Sequence, residues 1–213
     1  MSEPMRGPTC LPIFPLPDLT FFPHTVLPLH VFEPRYRSMV SDCLARNRKL
    51  VVVGLKPGYE DNYEGKPAVH AVAGAGEIVR CERLATGRFN ILIKGESRIR
   101  IGRELPSDTL YRLVEATVLE DVGDGGARAD ALTAEIKARC RRVLNAVGRS
   151  SPRLEAALSS SPSPAILADQ IASALIPSPQ LRQRLLEETD VERRLGLLLT
   201  SLDRLLERLD RGR

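Results

Sequence analysis

The chain has 213 residues, 43% of them hydrophobic and 27% charged, with 31 basic against 27 acidic side chains and a net charge of +4. This is the profile of a soluble globular protein, long enough to bury a real core as one large domain or two small ones. So mild a basicity describes a mixed, solvated surface and makes nucleic acid an unlikely partner on charge alone. The four cysteines, Cys10, Cys43, Cys81 and Cys140, lie far apart with no Cys-x-x-Cys pair. Metal-site spacing is therefore missing, and reduced, mostly buried thiols are expected. No apolar run approaches the ~20 residues of a membrane span. The first ten residues hold no apolar signal core, so a cytoplasmic protein is expected.

In chain order, residues 1–9 read as a flexible tail. Residues 10–31 interleave Pro12, Pro15, Pro17, Pro23 and Pro28 with apolar residues. That pattern forbids a central strand but allows short, buried edge strands. Pro34 then opens a helix predicted to run to about Asn47, with Glu33 placed to meet the free amides of its first turn or to pair with Arg35 or Arg37. Leu50–Leu55 is a β-branched run typical of a buried strand. The polar stretch Lys56–Pro67 has the length of a functional or mobile loop. Tyr59 and Tyr63 on it are either contact residues or simply pack the loop onto the body.

Residues 68–120 read as a β-meander. Val69–Ala73 and Gly76–Leu84 are extended candidates broken near Gly74 and Gly76, and Thr86-Gly87 makes a turn into Arg88–Lys94. Gly95-Glu96 reads as a type II′ hairpin turn. Ile99 and Ile101 then alternate with Arg98 and Arg100, one side dry and one wet. Pro106-Ser-Asp108 turns into a strand over Tyr111–Leu119. Strands at this spacing predict a small sandwich or barrel. A glycine–aspartate cluster at 121–127 marks a flexible joint, and residues 128–213 are helical. Leu132, Ile136, Cys140, Val143 and Val147 form one stripe, ended by Gly148. Further helices are expected after Pro152, from Pro164 to Ile176, and from Pro179 to Glu188. The last runs from Val191 to Leu209, with a stripe of Val191, Leu195, Leu198, Leu202, Leu205 and Leu209.

Chemistry is hard to find. There is no Gly-x-x-x-x-Gly-Lys-Ser/Thr phosphate loop. His24, His30 and His70 stand alone, with no His-Glu-x-x-His and no cysteine at ligand spacing. His30 reads as a structural histidine bonded to a backbone carbonyl or to Glu33. Lys94 and Ser97 flank the expected hairpin without any sign of burial, so they do not read as a catalytic dyad. No catalytic, cofactor or metal residue is assigned.

One stretch is distinctive: Pro28-Leu29-His30-Val31-Phe32-Glu33-Pro34-Arg35-Tyr36-Arg37. With Leu11-Pro-Ile-Phe-Pro-Leu-Pro17 and Phe21-Phe-Pro-His24, it resembles the amino-terminal, substrate-binding domain of the Lon protease family. Ala168–Ser173, Gln183–Glu187 and Val191–Leu195 extend the likeness to roughly residues 10–209. The resemblance implies an α+β fold: a small PUA-like, six-stranded β pseudo-barrel with one helix over 10–120, followed by an α-helical bundle. It also implies a stand-alone form, because neither the ATPase module nor the serine–lysine protease module of a full Lon protease is in these residues. Cereblon carries a version of this domain on a chain that is not a protease.

The function so implied is non-catalytic binding of unfolded or tagged polypeptide segments, presented to a protease or chaperone, with an AAA+ protease in trans as a partner. Candidate peptide-binding residues are Phe21, Phe22, Phe32, Arg35, Tyr36, Tyr59 and Tyr63, around an apolar groove aided by strand-edge hydrogen bonds. Plain core is the competing reading for Phe21 and Phe22. No cofactor is expected, and the chain is expected to be a monomer or weak homodimer. The alternative is a PUA-like nucleic-acid or small-ligand binder, using Arg80, Arg83, Arg88, Arg98 and Arg100. Five Phe, four Tyr and no Trp are few aromatics for base stacking.

Overall fold

The computed structural model describes residues 9–63, 65–123, 125–148, 152–160 and 163–211. They form an α+β protein that divides into two compact units, meeting in sequence at Leu119 and Glu120. Of the tail expected at 1–9, residues 1–8 lie outside the described residues, and Thr9 already opens the first strand.

The first unit contains β1 (Thr9–Leu16), β2 (Val26–Val31), α1 (Pro34–Ala45), β3 (Lys49–Gly54), β4 (Val72–Arg83), β5 (Phe89–Leu105) and β6 (Leu113–Leu119). Strand order is β2-β5-β4-β3-β1-β6, and β6 returns to β5 to close a ring. The length of β5 makes this closure possible. Phe89–Lys94 pairs with β2, while Arg98–Leu105 pairs with β6. The result is a five-strand barrel with β2 as an outer edge, a pseudo-barrel of six strands.

Three local expectations are corrected here. The proline-rich β1 is not an edge strand, since it lies between β3 and β6. Its first half pairs only with β6 and its second half only with β3. Each half therefore has one ladder, which tolerates Pro12 and Pro15. Gly74 and Gly76 do not break β4. A Cβ at Gly74 would strike the Phe21 carbonyl, and one at Gly76 the Lys94 carbonyl, so these glycines permit close backbone approach. Nor does Gly95-Glu96 form a hairpin, because β5 runs straight through it. Gly95 has no positive φ. It donates to Thr25 O (2.8 Å) and lies where a Cβ would meet the Phe22 carbonyl. The β4–β5 turn lies at 84–88, where Gly87 has φ +75°.

β3 is buried along its whole length because it faces two cores. Leu50 and Val52 join Phe14, Phe21, Tyr36, Met39 and Ile78 beneath α1, while Val51 and Val53 join Leu11, Ile13, Ile99 and Val114. A strand covered on both faces reads as a continuous apolar run. The wet face expected of β5 holds at Arg100, which is exposed, but not at Arg98, which is only 3% exposed. Of the arginines expected to form a basic face, Arg98 is therefore buried, and Arg100 pairs at the opposite end of the β4–β5 ladder from Arg80 and Arg83.

The second unit packs α2 (Ala127–Val147), α3 (Pro152–Ser160), α4 (Pro164–Leu175), α5 (Pro179–Glu187) and α6 (Val191–Arg211). Gly148, at φ +64°, ends α2. Ser163 and Ser178 cap α4 and α5, accepting from Ile166 N (3.4 Å) and Leu181 N (3.3 Å). The break expected over Ser159–Pro164 falls partly outside the described residues, α3 itself reaching Ser160. On α6, Val191, Leu195, Leu198 and Leu202 are buried, but the fifth position is Leu206, with Leu205 and Leu209 half-exposed. A 3.6-residue turn drifts away from a strict four-and-three repeat.

Within the expected joint, Val122 N donates to Thr189 O (2.9 Å) and Val122 O accepts from Val191 N (2.9 Å). Asp121 takes both terminal nitrogens of Arg194, each at 2.8 Å. Arg194 is 1% exposed, also donates to Glu188 O (2.9 Å), and lies 3.7 Å from the fully buried Asp169.

Candidate functional site

The site begins at the entry of α1. The Glu33 carbonyl accepts from Tyr36 N (3.1 Å) and Arg37 N (2.9 Å), while its side chain makes no cap. Of the two roles open to Glu33, the helix cap is not made; it pairs instead with Arg35 (Nε 3.0 Å, Nη2 2.9 Å) and accepts from Tyr63 Oη (3.2 Å). A guanidinium fork binds a carboxylate more strongly than single amides do, which explains the choice. His30 is corrected likewise. Its Nδ1 bonds Asn90 Oδ1 at 2.8 Å across the β2–β5 ladder, on an exposed face.

Arg35 lies between two rings, its guanidinium carbon 4.7 Å from the Tyr36 centroid and 5.5 Å from that of Tyr63. Tyr36 packs its ring 4.3 Å from that of Phe14. Burial pushes its hydroxyl up to about 12, with Arg35 opposing in part. Arg35 also reaches Tyr63 O at 3.4 Å, so loop 56–67 is held at Tyr63 by backbone and by side chain.

Beside these residues opens a groove of about 790 Å³. Ile13 and Pro15 of β1 line one wall, Tyr63 and Gly65–Pro67 of the loop another, and Leu105–Arg112, between β5 and β6, a third. The second and third walls are cross-tied. Lys66 Nζ lies 2.8 Å and Arg112 Nε 3.1 Å from Glu104, and Arg112 Nη1 donates to Pro67 O at 2.9 Å. Burial acts to raise the Glu104 carboxyl, but Lys66 and Arg112 outweigh it and hold it below the usual range. Tyr111 anchors the third wall by donating to Asp42 at 2.7 Å. Leu110 stands on the rim, 67% exposed.

The β1 wall gives little to a strand-pairing ligand. Ile13 N is taken by Arg112 O at 3.0 Å, and Pro15 has no N–H. Hydrogen bonding from this strand edge, expected as an aid to recognition, is therefore limited to acceptors. The groove offers polar and apolar surface in nearly equal share, the aromatic and aliphatic side chains lying among Arg35, Lys66, Glu104 and Arg112.

Of the candidate residues, Arg35, Tyr36 and Tyr63 come together at the groove. Tyr59 is half-exposed with its ring 6.3 Å from that of Tyr63, just outside the lining. Phe21 and Phe22 are 3% and 0% exposed and are core residues. Phe32 is 56% exposed, stacks on His30, and does not line the groove. In the wall at 105–112 the sequence predicts a turn over Pro106–Asp108 and a strand from Tyr111, which in the structure begins at Leu113. The wall's one visible signal is Leu110, a large apolar residue set among turn formers. Among the described residues no cluster of three or more His, Cys, Asp or Glu side chains is placed to hold a metal ion, and no helix is long and apolar enough to cross a membrane.

Comparison with known proteins places this geometry in context. The family model described as the ATP-dependent protease La (LON) substrate-binding domain matches residues 10–204. The Lon protease of Desulfatibacillum aliphaticivorans is 28% identical over 189 residues, covering 88% of this chain and 23% of that protein. Lon protease 2 of Bdellovibrio bacteriovorus is 29% identical, covering 90% and 24%. The chain thus spans about a quarter of the length of the curated relatives it matches. The N-terminal domain of Mycobacterium avium complex Lon protease shares the fold at TM-score 0.72 and 21% identity, over 92% of this chain and 98% of that one. A Lon N-terminal domain protein from Xanthomonas campestris superposes at TM-score 0.66 and 25% identity, over 90% and 98%. Nearly the whole length being matched, from the prolines of β1 to α6, the chain belongs to the LON substrate-binding domain family.

Proposed function

We propose that this chain is a non-catalytic, cytoplasmic protein-binding module that captures unfolded or tagged polypeptide segments in the groove of its first unit. It presents them to a protease or chaperone, with an AAA+ protease acting in trans as the partner. One observation carries the reading. A groove of about 790 Å³ is walled by two loops, with Tyr63 and Leu110 offering apolar surface and Arg35 held between the rings of Tyr63 and the buried Tyr36. Loop-built walls on a rigid barrel are where recognition residues concentrate.

Magnitudes fit a capture role. Two apolar side chains buried in the groove supply about 3–6 kcal/mol, less the cost of ordering the segment. Single-site binding is therefore weak, and an unfolded chain with many such segments is held by repeated rebinding while remaining easy to hand on. A folded protein hides these side chains and does not compete. The module itself works as a monomer or weak homodimer.

The test is equilibrium binding of a fluorescent, permanently unfolded protein (reduced and carboxymethylated), against its native form. The unfolded form binds and the native form does not. Tyr63→Ala weakens binding by about five- to tenfold, the value of one aromatic contact. Equal binding of both forms, or an unchanged affinity in Tyr63→Ala, contradicts the proposal.

A further inference from the structure

The second unit carries its own recognition surface. A groove of about 280 Å³ opens between the start of α5 and the second half of α6. Its floor is apolar, formed by Ile176, Pro177, Leu181 and Leu205. Three arginines, Arg184, Arg204 and Arg208, line the same groove, and no acidic side chain does. Arg204 and Arg208 stand one helical turn apart, so they project along one face of α6, with Ser201 and Leu205 beside them.

Neutralisation from within does not occur. The neighbouring acids of α6 are engaged elsewhere, Asp203 with Arg139 (3.2 Å) and Glu207 with Arg211 (3.6 Å). Among the described residues, none of the three groove arginines makes an ion pair. The Ile176 and Pro177 carbonyls at the mouth, the groove's local negative ends, are already bonded by Arg182 Nη1 at 3.0 and 3.2 Å. What remains is an apolar floor under uncompensated positive charge.

We infer that this groove binds an acidic peptide segment in which leucine-like side chains alternate with aspartate or glutamate. The apolar side chains fill the floor, and the carboxylates meet the guanidinium forks of Arg184, Arg204 and Arg208. Arginine suits this task because its planar fork pairs both oxygens of a carboxylate. Charge complementarity selects the partner, while burial on the floor distinguishes it from a bare polyanion. The site is separate from the groove of the first unit and takes a different ligand.

The experiment is fluorescence anisotropy on the full chain with a fluorescein-labelled peptide alternating Leu with Asp or Glu. Comparators carry Lys in place of the acids or Ser in place of the leucines, and a short oligodeoxythymidylate serves as a polyanion without apolar side chains. The acid–leucine peptide binds saturably, weakens with added salt, and loses about tenfold or more in affinity in the Arg204→Glu/Arg208→Glu double variant. Both arginines are exposed, and an unchanged thermal melt of the variant shows that the loss is not unfolding. No saturable binding up to millimolar peptide overturns the inference, as does an affinity indifferent to the double substitution. Equal binding of the acid–serine peptide or the oligonucleotide also overturns it, because a polyanion patch would then explain everything.

Discussion

Arg193 and Arg194 are adjacent and chemically identical, yet only one is structural. The side chain of Arg193 is 76% exposed and meets Asp190 at 3.6 Å, whereas Arg194 is 1% exposed, on two 2.8 Å bonds to Asp121 and beside buried Asp169. No local signal separates them, for the partners lie 73 and 25 positions away and only the fold assembles them. Arg98 is a similar case in β5, an apparent wet-face residue that is buried while Arg100 stays exposed. Sequence patterning records which residues alternate. It does not record whether the second face is later covered. Removing one member of a buried ion cluster takes the countercharge from the others, so Arg194→Ala destabilises the helical unit by about 3–5 kcal/mol. Arg193→Ala changes stability by less than about 0.5 kcal/mol. Urea unfolding followed by circular dichroism measures both, and equal effects would refute the assignment.

At the scale of elements, the helices were the most legible, because prolines, serine caps and Gly148 mark their ends locally. The sheet was less so. Gly74, Gly76 and Gly95 carry the same sequence signal whether they turn the chain or admit a neighbouring backbone, and here they admit the carbonyls of Phe21, Lys94 and Phe22. The role of Pro28 emerges only with the register. Since Gly95 N bonds Thr25 O, alternation along the antiparallel ladder aims the backbone groups of Leu27, Leu29 and Val31 at β5. Those of Val26, Pro28 and His30 face outward. Pro28 thus removes a donor from the middle of the free edge, a known protection against edge-to-edge pairing. Val26, 37% exposed, shows what that edge would otherwise offer. Pro28→Val therefore increases self-association in sedimentation velocity at unchanged thermal stability. A variant that stays as monomeric as the parent would show that the edge is protected by other means.

For the whole molecule, the family was legible because its motifs fall on residues that build the first unit: the β1 prolines, the buried Phe21-Phe22 pair and the turn into α1. Those motifs specify the fold, and for that reason they name the groove poorly. Phe21 and Phe22 stabilise the barrel, while the groove's third wall, Leu105–Arg112, belongs to no distinctive stretch of sequence. Ile13, Pro15, Arg35 and Tyr36 serve both, and Tyr63 meets them from the loop that covers the motif. The central claim is that this groove holds unfolded polypeptide. Amide hydrogen exchange of the chain, with and without a saturating unfolded protein, tests it most directly. The account predicts new protection confined to residues 56–67 and 105–112 of the first unit, where the groove walls contact the captured segment. Protection absent from both stretches under saturating conditions would contradict it.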